Sequence, residues 1–493
     1  MVRGRVIGPT HVGRRSRSRR GPALLAGVIV VAALVVVLVL GLTGGAPRLV
    51  PGGGNANGTF DPLAFDPSRA AGYEAAAAAG YSHVIYDKSP GGILATVRRT
   101  EHFRRDIEAA ARSGPVDAAT LEAIVLLESA GRPDVVAGPD PSAAAGLTQI
   151  VAQTGRSLLG MRIDLSTSRR LAAQIASARK AGNSALVAHL SARRAHVDQR
   201  FDPRAALAAT ERYMAIAMRT FGRSDLTVVS YHMGIGNLET ALRRYLGPSD
   251  STQPIAKLVA DNGLSYARLY FDSTPLRHPS AYAWLYQLGD DSESYLWRLR
   301  AATQILALYR TDPAAVARQA GLERASPSGE RVLRPPGTPV LADQAAVRAA
   351  QASRQLLPIP SGTAGVKAGL QPAAALSLRP EALAAAVYIG TGVRTIERTP
   401  APLQITAATT GAADLRAAAR ASHGLADADP LHATGYAFDV SRFYASPAQA
   451  QAFQFMLDRL LALDVIAWQR YPHNIHVVVG PAAIALRGLV PSR

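Results

Sequence analysis

The stretch Val116-Asp117-Ala118-Ala119-Thr120-Leu121-Glu122-Ala123-Ile124-Val125-Leu126-Leu127-Glu128-Ser129-Ala130-Gly131 has the marks of one helix carrying a carboxylate on its apolar face. Asp117 is a fitting N-cap, and Gly131 can close the C-terminal end. Leu121, Ile124 and Glu128 stand at i, i+3 and i+7, so the Glu128 side chain shares the side of the helix that seeks the core. Glu122 points elsewhere and reads as solvated. A carboxylate held among apolar groups has its charged form disfavoured, and its pKa rises. Such a group can keep a proton near neutral pH and hand it to a leaving oxygen. A buried glutamate satisfied by a structural partner fits this helix alone equally well.

Outward from it, Glu128-Ser129-Ala130-Gly131 is followed by Ala144-Ala145-Gly146-Leu147-Thr148-Gln149-Ile150, with Thr154 beyond. Phe201-Asp202-Pro203 opens an Ala-rich helix to Phe221-Gly222, and Val229-Ser230-Tyr231-His232-Met233-Gly234-Ile235-Gly236-Asn237 comes next. These four ordered blocks resemble the lytic transglycosylase family with its lysozyme-like helical fold. The resemblance implies that Glu128 is the catalytic acid/base, that Ser129 and Gln149 contact the sugar, and that Tyr231 orients the carboxylate. It further implies cleavage between N-acetylmuramic acid and N-acetylglucosamine with a 1,6-anhydro product and no cofactor. Thr148 stands where the family usually has Met, and His232 where it has Asn. Hydrolysis by a lysozyme of this fold is the near alternative. Asp134, Asp140 and Asp164 are then the candidate second carboxylates, although a solvated-loop role suits each.

Toward the C-terminus, Leu431-His432-Ala433-Thr434-Gly435-Tyr436-Ala437-Phe438-Asp439-Val440 precedes Ile475-His476-Val477. Two imidazoles and one carboxylate form a usual zinc set with a position left for water. The pattern resembles the zinc D-alanyl-D-alanine carboxypeptidases, which implies zinc on His432, Asp439 and His476. That family needs a glutamate base shortly before the last histidine, and no glutamate follows Glu397 here. Asp464 and His473 are the substitutes on offer. Thr406–Thr410 fills the place of the family's usual arginine.

The chain has 493 residues, enough for two or three cores, and a formal charge of +18. Seven arginines (Arg3, Arg5, Arg14, Arg15, Arg17, Arg19, Arg20) precede an apolar run that reaches Leu42. Their placement reads as topology rather than nucleic-acid binding: a single transmembrane helix with the arginines cytoplasmic and the bulk of the chain outside. A cleaved signal peptide is the other reading of this terminus. Absence of cysteine excludes disulfides, thiolate metal sites and cysteine nucleophiles.

The expected organisation is therefore a basic tail (1–21), a membrane helix (22–43), a flexible linker (44–60) and a mainly α, lysozyme-like domain with a helical extension (61–325). A Pro/Gly-rich linker (326–365) and a small α+β domain (366–493) follow. The expected partners are peptidoglycan strands, the membrane and proteins of cell-wall synthesis. A bifunctional hydrolase cutting glycan and peptide, and a non-catalytic peptidoglycan-binding scaffold, are the competing functions.

Overall fold

A computed structural model describes residues 61–247, 252–289, 291–323, 338–360, 364–369, 376–421 and 431–490. The basic tail, the apolar run at 22–43 and the 44–60 spacer lie outside these residues. Among the described residues no helix is long and apolar enough to cross a membrane.

The chain divides into two compact units that do not follow the linear boundaries expected from composition. Of the described residues, a helical unit takes in those within 81–266 and 291–323, and a mixed unit those within 61–80, 267–289 and 338–490. The expected 61–325 domain is thus interrupted, and the physical reason is aromatic burial within the mixed unit. Tyr73 lies 5.3 Å from Phe65 and 5.2 Å from Phe271, ring to ring. The Arg459 guanidinium sits 4.8 Å over the Phe271 ring and donates to the Phe271 carbonyl. Tyr388 donates to Asp61 at 2.9 Å, and Tyr282 meets Phe455 edge-on at 5.2 Å. A Cβ on Gly80 would stand 2.1 Å from the Leu461 carbonyl oxygen, so the absence of a side chain permits that approach.

In the helical unit the Ala118–Ser129 helix is buried over most of its length. Asp117 caps it by accepting from the Thr120 amide at 2.7 Å. Leu121, Ala123, Ile124 and Val125 are 0 % exposed, each larger one contributing about 2 kcal/mol of burial. The Arg104–Ala111 and Tyr295–Thr311 helices pack on it. Ala130 and Gly131 both take left-handed backbone (φ 54° and 69°) and end the helix. At Gly131 a Cβ would come within 2.6 Å of the Arg99–Thr100 backbone, so glycine is required twice over. Glu122 is not solvated as expected. It is fully buried, accepting from Arg104 at 2.7 Å and from Arg310.

The mixed unit holds a five-stranded sheet. Its strands are β2 (Val366–Ala368), β4 (Leu403–Ala407), β5 (Ala437–Ser441), β6 (Ile466–Arg470) and β7 (Asn474–Val479), in the order β2-β4-β5-β7-β6. Only β2 and β4 pair in parallel. β1 (Leu357–Pro358) and β3 (Ser377–Leu378) form a separate short pair. The Pro380–Glu397 and Pro447–Ala462 helices pack on each other and on the sheet. β7 runs between two neighbours and is buried along Ile475–Val479, an apolar run broken only by His476. Part of the expected 326–365 linker is ordered: the Gln344–Ala352 helix buries Val347 and Ala350 against Leu356.

Candidate active site

Glu128 lies in the last turn of its helix, where protein atoms crowd its carboxyl group while part of the side chain stays open. Burial pushes its pKa up to about 7, against weaker lowering by a hydrogen bond from Tyr295 and the positive charge of Arg298. The Tyr295 hydroxyl donates to Glu128 Oε1 at 2.8 Å. Tyr295 is 1 % exposed, and burial together with the Glu128 charge holds its phenol well above the ordinary range, so it remains a donor. Arg298 is itself held by Asp291 at 2.5 Å.

The hydroxyl that meets the Glu128 carboxyl group is thus that of Tyr295 and not that of Tyr231. The Tyr231 hydroxyl instead donates to the Thr148 carbonyl at 2.6 Å, with Thr210 Oγ1 at 3.2 Å. Tyr231 remains part of the surroundings of Glu128, whose charge, after burial, raises its pKa. Its bond to Thr148 ties the Ser224–Met233 helix to the loop carrying Gln149. That loop folds on itself: Ala145 and Ile150 exchange backbone hydrogen bonds at 3.1 Å, and Gln149 adopts φ 52°. The Gln149 amide nitrogen donates to the Gly146 and Val135 carbonyls at 2.8 and 3.2 Å, which fixes the side chain against its own loop. Ser129 is 1 % exposed, and its hydroxyl donates to the Val125 carbonyl at 3.1 Å, so its side chain faces the core.

Beneath the loop lies a buried pair that the sequence did not reveal. Arg200 and Asp198 are almost fully buried, and the guanidinium donates to Asp198 and to the carbonyls of Ala143 and Pro141 at 2.7–2.9 Å. Gly146 presses so closely on Arg200 that a Cβ would sit 1.7 Å from its carbonyl oxygen. The three aspartates considered as second carboxylates have other partners. Asp134 pairs with Arg179, Asp140 accepts from Ser142, and Asp164 caps the Leu165–Lys180 helix.

Residues 106–253 match the family model described as Transglycosylase SLT domain. The SLT match takes in Glu128, Gln149, Tyr231 and His232, and stops short of Tyr295. It supports a lytic transglycosylase domain acting on peptidoglycan. No curated protein matches the chain.

In the mixed unit, His432, Asp439 and His476 come together with one ligating atom each inside 4.8 Å of one another. The β5–β7 register puts Asp439 opposite His476, and His476 Nδ1 meets Asp439 Oδ1 at 2.6 Å. His432 approaches the same oxygen at 3.3 Å from the Leu431–Thr434 turn. Asn474 donates to the other oxygen at 2.6 Å, a partner the sequence reading missed. Burial alone would raise the Asp439 pKa, but the two histidines outweigh it and hold the carboxylate well below the usual range. The two glutamates of the 338–490 segment are engaged elsewhere: Glu381 with Tyr436 and Arg487, Glu397 with Ser446. Among the candidate bases, His473 is exposed and stacks 6.3 Å from Phe443.

Proposed function

We propose that the protein is a membrane-tethered lytic transglycosylase that cuts peptidoglycan strands outside the cell, with Glu128 as acid and then base. One observation carries the reading: inside the matched SLT segment, Glu128 has a carboxyl pKa near 7 and a neutral phenol fixed on one oxygen. At that pKa both protonation states are populated near neutrality, as a group that must give and then take a proton requires. Protonated Glu128 donates to the oxygen between N-acetylmuramic acid and N-acetylglucosamine as the C1–O bond breaks. The substrate's own acetamido group supports the positive charge at C1, as in substrate-assisted glycosidases. The Glu128 carboxylate next takes the proton of the C6 hydroxyl, whose oxygen closes on C1. Proton and electron pairs balance, and no water is consumed. The structural employment of Asp134, Asp140 and Asp164 favours this one-carboxyl route over hydrolysis.

The basic residues before the 22–43 run support the tether, with the rest of the chain outside. For the mixed unit we propose zinc binding by His432, Asp439 and His476 without efficient peptidase activity. The donor set fits: two imidazoles and a carboxylate converge, and His432 Nδ1 is buried without a hydrogen-bond partner. Zinc bound there would supply Lewis acidity toward a water or carbonyl. The engagement of Glu381 and Glu397 leaves no glutamate of that segment as base. Mass analysis of muropeptides from sacculi treated with the full chain tests the main reading. Anhydro ends are expected, and reducing ends would establish a hydrolase.

A further inference from the structure

His232 occupies the last turn of the Ser224–Met233 helix, one residue beyond Tyr231. Its ring lies 5.0 Å from the Tyr295 ring at 26°, a stacked arrangement. On its edge, His232 Nδ1 and Ser292 Oγ are 2.9 Å apart. Ser292 is 2 % exposed and belongs to the Asp291–Ser294 turn that leads directly into the Tyr295–Thr311 helix. The imidazole is thus fixed at face and edge by the segment that bears Tyr295. In return it walls one side of the phenol whose hydroxyl reaches Glu128. We propose that His232 is a positioning residue: pinned by Ser292 and stacked on Tyr295, it keeps the Tyr295 hydroxyl on Glu128. The inference rests on Glu128 being the acid/base.

The physical consequence follows from the direction of that hydrogen bond. A donor on a carboxylate favours the charged form, so Tyr295 restrains the rise that burial imposes on Glu128. When the phenol is free to tilt, the hydrogen bond lengthens and the Glu128 pKa climbs. The other groups facing Glu128 are Tyr231 from the neighbouring helix and Arg298 from the Tyr295 helix, the latter held by Asp291. Tyr213 meets Tyr231 edge-on at 5.3 Å.

The test is a carbon-13 NMR titration of the Glu128 carboxyl in the full chain, assigned with Glu128→Gln, alongside the pH profile of glycan cleavage. In His232→Ala the Glu128 midpoint should rise by about one pH unit. In His232→Phe, which keeps a stacked ring, the rise should be less than half of that. Both variants remove any imidazole charge, so their difference reports the stack. In a Tyr295→Phe background, His232→Ala should add nothing. An unchanged midpoint in His232→Ala, or a shift of equal size with and without the Tyr295 hydroxyl, overturns the proposal. An inactive wild-type chain whose midpoints move as described supports the positioning role while removing the enzymatic reading.

Discussion

A carboxyl group kept near pKa 7 by burial costs stability wherever it must ionise, and Glu128→Gln isolates that cost. The folded-state pKa lies above the ordinary carboxyl value of 4.5. Folding therefore gains from the protonated form, and the gain is present at low pH and lost as pH rises through about 7. The full difference corresponds to about 3 kcal/mol at alkaline pH, and to about 2–3 kcal/mol once partial contact with water is allowed for. Glutamine has the same shape, keeps an oxygen for Tyr295 and never ionises. The variant should match wild type at pH 4 and exceed it by about 2–3 kcal/mol at pH 9. For a unit of this size that is about 2–4 °C per kcal/mol in midpoint. Differential scanning calorimetry of both proteins at the two pH values makes the comparison, since all other titrating groups are shared. A difference that does not depend on pH, or a variant less stable at pH 9, refutes the burial argument.

Tyr295→Phe should move the alkaline limb of the pH–rate profile upward by about 1–2 units, the worth of one hydrogen bond to a charged group; an unmoved limb contradicts the Tyr295 assignment. Glu122→Ala should destabilise by about 2–4 kcal/mol in denaturant unfolding, because Arg104 and Arg310 lose a buried partner while keeping a third of their own surface in water. His432→Ala should abolish stoichiometric zinc in the purified full chain by elemental analysis, and a protein without zinc in wild-type form counts against the zinc proposal. A fragment starting at residue 338 should aggregate, since it lacks Asp61, Tyr73 and Phe271, which Tyr388 and Arg459 require; a soluble, cooperatively unfolding fragment contradicts the division into units.

Several elements were legible because their signals are local. Asp117, the Leu121–Ile124–Glu128 spacing and Gly131 mark the central helix within a residue. Asp202-Pro203 and Gly222 bracket the Pro203–Phe221 helix as read. Between the Ser224–Met233 and Ile235–Leu246 helices, Gly234 takes a φ of 87° and marks the break, a conformation its missing side chain permits. What stayed hidden depends on distant partners. Glu122 looked like a surface residue because Arg104 and Arg310 stand 18 and 188 positions away. The Tyr295 hydrogen bond to Glu128 was hidden because the sequence blocks end well before residue 295. The one available hint was an aromatic residue opening a helix directly behind a polar turn, Ser292–Ser294. The Asn474 contact needed the β5–β7 register, which no single strand reveals. The interleaved units were equally out of reach, because Phe271 and Tyr73 announce only that they are aromatic.

A side-by-side digestion of purified sacculi bears on the acid/base role of Glu128 more directly than anything else. Wild-type chain should release soluble muropeptides, and folded Glu128→Gln should release none above background. Equal release by the two proteins would contradict the account.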